Sequence, residues 1–240
     1  MAGPTLPVDQ PTREPRIGGL SSVAQYRPNE RLGIAGGLRF VSGGCAFPHT
    51  EELRCYDDTV ADKTYDGIEL EDGIGAPMTL FAGSNCTLGP IDDHEARARA
   101  TVEEGRDRVI EPIIATWAAG GTALTAGATA RIALARVDQA IDANYRGRGV
   151  ILMSRFDAED AGLKVDGTKL TTKLGTPVVA SGMIAPGVVY GLGAIAVEIS
   201  ELNTLRAPHP TTNQDYAIAE QVFAVVVDCS FRVKSAITAP

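Results

Sequence analysis

The chain has 240 residues, 44% of them apolar, and carries 22 Lys and Arg against 30 Asp and Glu, a net charge of −8 with a pI near 4.9. That length suits one large domain or a compact domain with an extended appendage, and the apolar share supplies a core. Net acidity argues against a nucleic-acid binder, because holding a phosphate backbone needs clustered cations that release counterions.

The first thirty residues hold Pro4, Pro7, Pro11, Pro15 and Pro28 and show almost no periodicity, so they read as an extended arm that does not fold by itself. The opening Met1 to Val8 has neither a basic region nor an apolar run, so no secretory signal is expected and synthesis is placed in the cytoplasm. From Arg31 to Asn85 short β pieces alternate with glycine and acid. Gly36 to Val41 and Met78 to Ala82 are the expected strands, with Asp-Gly turn signals at Asp66-Gly67 and Asp72-Gly73 between them. So few apolar residues cannot form a core, and the segment reads as a long hairpin needing a partner surface.

Asp92 or Asp93 offers an N-cap to a long helix. Its apolar positions Ala98, Val102, Val109, Ile113 and Trp117 recur at helical spacing, with an end or kink expected near Pro112. Arg97, Arg99, Arg106 and Arg108 alternate with Glu95, Glu103 and Glu104, which reads as a solvated face with local pairs. Thr116 to Ala128, rich in Gly, Ala and Thr, reads as a flexible connection. A second helix follows over Thr129 to Tyr145, then a strand at Gly149 to Met153, a small helix over Ser154 to Leu163, and a turn at Lys173 to Val179. Two apolar runs, Val188 to Ile199 and Gln221 to Cys229, complete the chain. The first is too short and too glycine-interrupted to span a membrane, so no membrane partner is expected.

No catalytic constellation emerges. His49, His94 and His209 lie in polar sequence with no nucleophile elbow nearby, and each reads as an exposed loop histidine. Cys45, Cys55, Cys86 and Cys229 form no metal-ligand spacing; they read as buried or free thiols, with a disulfide among Cys45, Cys55 and Cys86 as the sharper alternative. Gly191 and Gly193 match no phosphate cradle and read as close-packing positions inside one strand. The acid pairs Asp57-Asp58, Glu71-Asp72 and Asp92-Asp93 fall in turns or at a helix start, without the apolar wall that separates carboxyl pKa values, and Asp57 to Asp66 does not match a calcium loop. The expectation is no catalytic residue, no metal and no cofactor.

The order of parts then becomes informative. Phe81 to Cys86, the helix through Val109-Ile-Glu111 and Trp117, Gly147 to Ser154, Leu170 to Val179, Val189 to Val197 and Asn213 to Asp228 together resemble the major capsid proteins of tailed bacteriophages. That architecture, the Johnson fold, is shared with encapsulin shells. The resemblance implies an α+β fold divided into an N-terminal arm (1–41), an extended hairpin or E-loop (42–84), a peripheral domain with a spine helix (85–128), and an axial domain with a return to the peripheral domain (129–240). It implies a virion protein, not an enzyme, that builds pentamers and hexamers of an icosahedral shell around double-stranded DNA without binding it specifically. Copies of itself would be the main partners, with scaffolding, portal and decoration proteins as further ones. Axial domains (about 129–231) would meet at the symmetry axes while arm and hairpin tie neighbours together. Many family members carry a longer N-terminal scaffolding region removed by a protease, whereas only a short arm is expected here. The rival readings are an encapsulin-like compartment, another virion component, and a small α/β enzyme working through Asp57, Asp58 and Asp66.

Overall fold

The computed structural model describes residues 13–34, 36–41, 45, 47, 72–86, 94–209 and 214–238. Among the described residues three α-helices, α1 (His94–Ala118), α2 (Ala130–Asn144) and α3 (Arg155–Ala161), pack on two large sheets. The first sheet holds β1 (Gln25–Pro28), β4 (Met78–Cys86), β11 (Ile195–Ile199), β12 (Asn203–His209) and β13 (Gln214–Val227). The second runs in the order β5 (Thr122–Ala123), β14 (Arg232–Ala236), β10 (Val188–Leu192), β6 (Val150–Ser154), β9 (Pro177–Ser181), β8 (Lys169–Thr171), β7 (Lys164–Asp166). A separate two-stranded ladder joins β2 (Leu38–Val41) to β3 (Asp72–Gly75).

The second half follows its local signals closely. Thr129 caps α2 by accepting the Ile132 amide, and Ser154 caps α3 by accepting the Asp157 amide. Strand β6 is buried throughout, as a strand covered on both faces must be. Val150 and Leu152 enter the core beneath α1, while Ile151 and Met153 enter the core beneath α2. One strand therefore welds the two halves of the molecule together.

Elsewhere the structure departs from the expected elements. The run Val188 to Ile199 is not one strand. It breaks at Gly193-Ala194 into β10 in one sheet and β11 in the other. A Cβ on Gly193 would stand 2.3 Å from the Asp228 carbonyl oxygen, so the crossing is possible only without a side chain; Gly191, inside β10, would meet Val137 at 2.6 Å. Helix α1 runs through Pro112 to Ala118, and its buried stripe is Ala98, Val102, Ile110, Ile114 and Ala118, leaving Val109 exposed. The misjudged phase has a physical source. Arg106 lies on that stripe, with its guanidinium 5.1 Å from the Tyr26 ring centre, and Glu111 is buried, so two charges sit where apolar periodicity would be sought.

The Gly/Ala/Thr-rich connection after α1 is ordered: β5 pairs with β14, and Gly127 bridges to Ile237. Asp72-Gly73 lies in β3, and β4 pairs with β13 instead of closing a hairpin. The two turn-flanking strands thus belong to different sheets. The expected arm is also drawn into the body from residue 13 onward: Leu20 is fully buried and β1 adds in parallel to β11. The core of the long hairpin, including Asp57, Asp58, Lys63 and Asp66, lies outside the described residues.

Candidate functional site

The sequence-predicted chemical groups are dispersed. Among the described residues no cluster of three or more His, Cys, Asp or Glu is arranged to hold a metal, and no helix is long and apolar enough to cross a membrane. His49, Cys55, Asp92 and Asp93 fall outside the described residues, and His209 ends β12. His94 is not an exposed loop residue: only 3% of it is accessible, because α1 begins against β4, and its Nδ1 lies 3.0 Å from Ser84 Oγ. Its Nε2 is buried with no hydrogen-bond partner among the described residues; Asp215 is near enough to interact with it electrostatically but does not hydrogen-bond it, so the acid–imidazole bond that a triad requires is not made. Cys45 is neither free nor joined to Cys55 or Cys86. It forms a disulfide with Cys229, across 184 residues of sequence. Sequence reading could not foresee that partner, because Cys229 ends a strand-like run and only the turn after β13 swings it toward β2.

The densest polar cluster ties the arm to α1. Glu111, fully buried, accepts from Arg16 Nη2 and, at 3.0 Å, from the Leu20 amide. Burial pushes its carboxyl above the ordinary range, and the neighbouring Ser181 hydroxyl, Arg16 and the Leu20 amide pull it back. Arg16 also donates to the Ala180 carbonyl at 3.3 Å, and arm and β9 exchange a backbone bond from Ala180 to Gly18 at 2.9 Å. Asp107 accepts from the Ser21 amide at 2.8 Å and from the Tyr26 hydroxyl at 2.7 Å. Burial, reinforced by Asp107, holds the Tyr26 phenol far above its usual pKa. Every one of these groups is spent on holding the arm. Arg16, Tyr26 and Asp107 also line a cavity of about 780 Å³ between the arm and α1, but their hydrogen-bonding groups there are engaged in the arm's own contacts.

A groove of about 600 Å³ opens between α2 and the 172–176 turn. Its acids are Asp138 and Asp142, one helical turn apart, but Asp138 accepts from the Thr176 hydroxyl at 2.5 Å and so braces the turn.

What the structure offers instead is exposed apolar surface on rigid supports. In β13, Ala217, Ala219 and Gln221 face α1 while Ile218 and Glu220 face outward. Register then sets Leu205 of β12 opposite Ile218, Gly83 of β4 on its other side, and Phe81 opposite Glu220 on the same outer face. Phe81, Leu205 and Ile218 are 72%, 66% and 42% exposed. This row shows on the order of 300 Å² of apolar surface, the size of the largest patch on a typical monomer. The signal was present in the sequence. Small alanines alternate with larger residues along β13, and the large ones point away from the helix. Phe156 at the start of α3 and Met183 after β9 are likewise exposed. They stand on turns fixed by Asp157, which accepts from Ser154 Oγ at 2.7 Å and from the Gly187 amide at 2.9 Å.

The arrangement of arm, long helix across a sheet, and second sheet with two covering helices is the Johnson fold of shell subunits. No protein-family model matches the chain, and no curated protein matches its sequence. Solved structures do. The capsid of an empty gene-transfer-agent particle is similar over 99% of this chain and 96% of its own, with a TM-score of 0.60 at 14% identity. Mycobacterium phage Che8 matches over 99% and 98%, with a TM-score of 0.55 at 17% identity. A virus-like particle from Pyrococcus furiosus matches over 90% and 91%, with a TM-score of 0.61 at 10% identity.

Proposed function

We propose that this chain is the major structural subunit of a virion, self-assembling into pentamers and hexamers of an icosahedral shell that encloses double-stranded DNA. The observation that carries the reading is the shared fold along nearly the full length of both chains, in a structure named as a capsid and in one of a phage. The exposed rows add a physical reason. A single patch of roughly 300 Å² falls below the roughly 800 Å² per partner of a stable complex, so one contact holds little, while contacts repeated around a closed surface add up. Net acidity fits a container that must not adhere to its polyanionic content. The protein acts through geometry, not catalysis.

In this reading α1 with the sheet of β1, β4 and β11–β13 is the peripheral domain, and α2, α3 and the seven-stranded sheet form the axial domain that meets its neighbours in heterologous, ring-closing contacts. The return to the peripheral domain starts at the Gly193-Ala194 crossing. Scaffolding, portal or decoration proteins complete the particle. Sedimentation of the protein from its source, with nuclease treatment, tests this. Large particles with protected double-stranded DNA are expected. Particles holding a protein cargo and no DNA would turn the reading to a compartment shell, and a monomer at high concentration would refute both.

A further inference from the structure

We propose that Cys45 and Cys229 are an oxidative modification site: two thiols in the newly folded chain that close into a covalent lock when a small disulfide oxidant reaches them. The lock would pin the root of the β2–β3 ladder to the junction between the two large sheets. The pairing and its consequence belong to the subunit; only the timing, after assembly, rests on the shell reading.

One side of the bond is built in advance. Cys229 lies in the turn Asp228–Ser230, which carries the chain from β13 in one sheet to β14 in the other. Asp228 donates its amide to the Ala194 carbonyl at 2.9 Å and accepts from the Tyr145 hydroxyl at 2.7 Å, while that hydroxyl accepts from the Ala194 amide at 3.1 Å. The Gly193 amide donates to the Phe231 carbonyl at 3.1 Å, and the Phe231 ring stacks on Tyr145 with centroids 5.5 Å apart. Within this frame Cys229 and Ser230 hold left-handed backbone, with φ of 57° and 45°. Residues other than glycine keep that conformation only where their surroundings impose it. The Cys229 thiol is therefore aimed by hydrogen bonds that do not depend on the disulfide.

The other side is held more weakly. Cys45 follows β2, whose ladder with β3 comprises four residue pairs, and a two-stranded ladder of that size is marginal in water. Both cysteines are partly exposed, so a small oxidant can reach them. A reducing cytoplasm keeps such a pair as thiols, and departure from it permits oxidation. The step balances by exchange. One cysteine thiolate attacks the oxidant, forming a mixed disulfide and expelling one small thiol, and the second cysteine then displaces the other; the protein loses two protons and two electrons and the oxidant becomes two thiols. Because the bond spans 184 residues, it removes a large loop from the unfolded ensemble.

The test begins with full-length protein released under reductant, alkylated at once, and mapped by mass spectrometry without reduction. A second portion is treated with oxidised glutathione before mapping. The expected result is alkylated Cys45 and Cys229 in the first portion and a joined Cys45–Cys229 peptide in the second, with a thermal midpoint higher by about 5–10 °C. Cys45→Ser should fold, show the reduced midpoint, and lose the shift. A joined peptide in place of alkylated thiols in the first portion, pairing through Cys55 or Cys86, or a full shift in Cys45→Ser would each overturn the proposal. Reduced wild type and Cys45→Ser are both expected to form shells. Shells from neither, with the expected thiol map, would overturn the shell reading and leave the lock standing.

Discussion

Removing Arg16 isolates the buried carboxylate of Glu111. Glu111 is fully buried and the Arg16 side chain is 24% exposed, so Arg16→Ala leaves a charge in the interior where the partner's own loss is partly made good by water. Breaking a buried pair from one side costs about 3–5 kcal/mol, and the lower end applies here because Arg16 reaches solvent. At 2–4 °C per kcal/mol for a chain of this size, the thermal midpoint should fall by roughly 6–12 °C near neutral pH. The loss should depend on pH in a set direction. Burial raises the Glu111 carboxyl above its ordinary 4.5, and Arg16 is one of the groups holding it down, so the substitution raises it further. A carboxyl raised in the folded state takes up a proton there before the unfolded chain does. Its contribution is fully present below the unfolded value and is lost as pH rises through the folded one. The deficit of Arg16→Ala should therefore shrink on acidification, and adding Glu111→Gln should recover part of it at neutral pH. Far-ultraviolet circular dichroism melts at matched concentration, near pH 7.5 and near pH 5, read both effects. A loss under about 1 kcal/mol, or an equal loss at both pH values, would refute the buried clamp.

Other consequences follow from the sheet crossing and the outer row. Gly193→Ala drives a methyl into the Asp228 carbonyl, which is backbone and cannot swing aside, so it should cost about 3 kcal/mol; Gly191→Ala meets side-chain methyls of Val137, Val233 and Ile141, which can shift, and should cost less, about 1–2 kcal/mol, as chemical denaturation will show. The double substitution Leu205→Ser with Ile218→Ser removes outward-facing surface, so the melting midpoint of the unassembled subunit should change by less than about 2 °C while particle yield by sedimentation falls sharply. An unfolded variant, or full particle yield, would count against that face as a contact between copies.

How much of this was legible depends on how far away each cause lies. Helix α2, strand β6 and helix α3 were readable because Thr129, Ser154 and the unbroken Val150 to Met153 run act within a few residues of themselves. The split of Val188 to Ile199 was not, because it is imposed by the carbonyl of Asp228, which only the fold brings to Gly193. The same holds for α1. Its stripe includes Glu111, whose partner Arg16 stands 95 residues earlier, and no local pattern announces that an acid will be buried there. The long hairpin was drawn too simply, since β4 looks from its composition like the mate of Gly36 to Val41 but pairs along its whole length with β13. The absence of a recognisable site in sequence had a different origin. The candidate contact row is assembled from β4, β12 and β13, and its members become neighbours only through register.

The proposal of a shell stands or falls on the assembled state. Cryo-electron microscopy of the protein purified from its source should show closed icosahedral particles whose density resolves rings of five and six copies, with α2, α3 and the seven-stranded sheet lying nearest the ring axes. Particles in which that sheet lies away from the axes would contradict the assigned contacts. A uniform population of monomers or of small open oligomers at high concentration would contradict the shell itself.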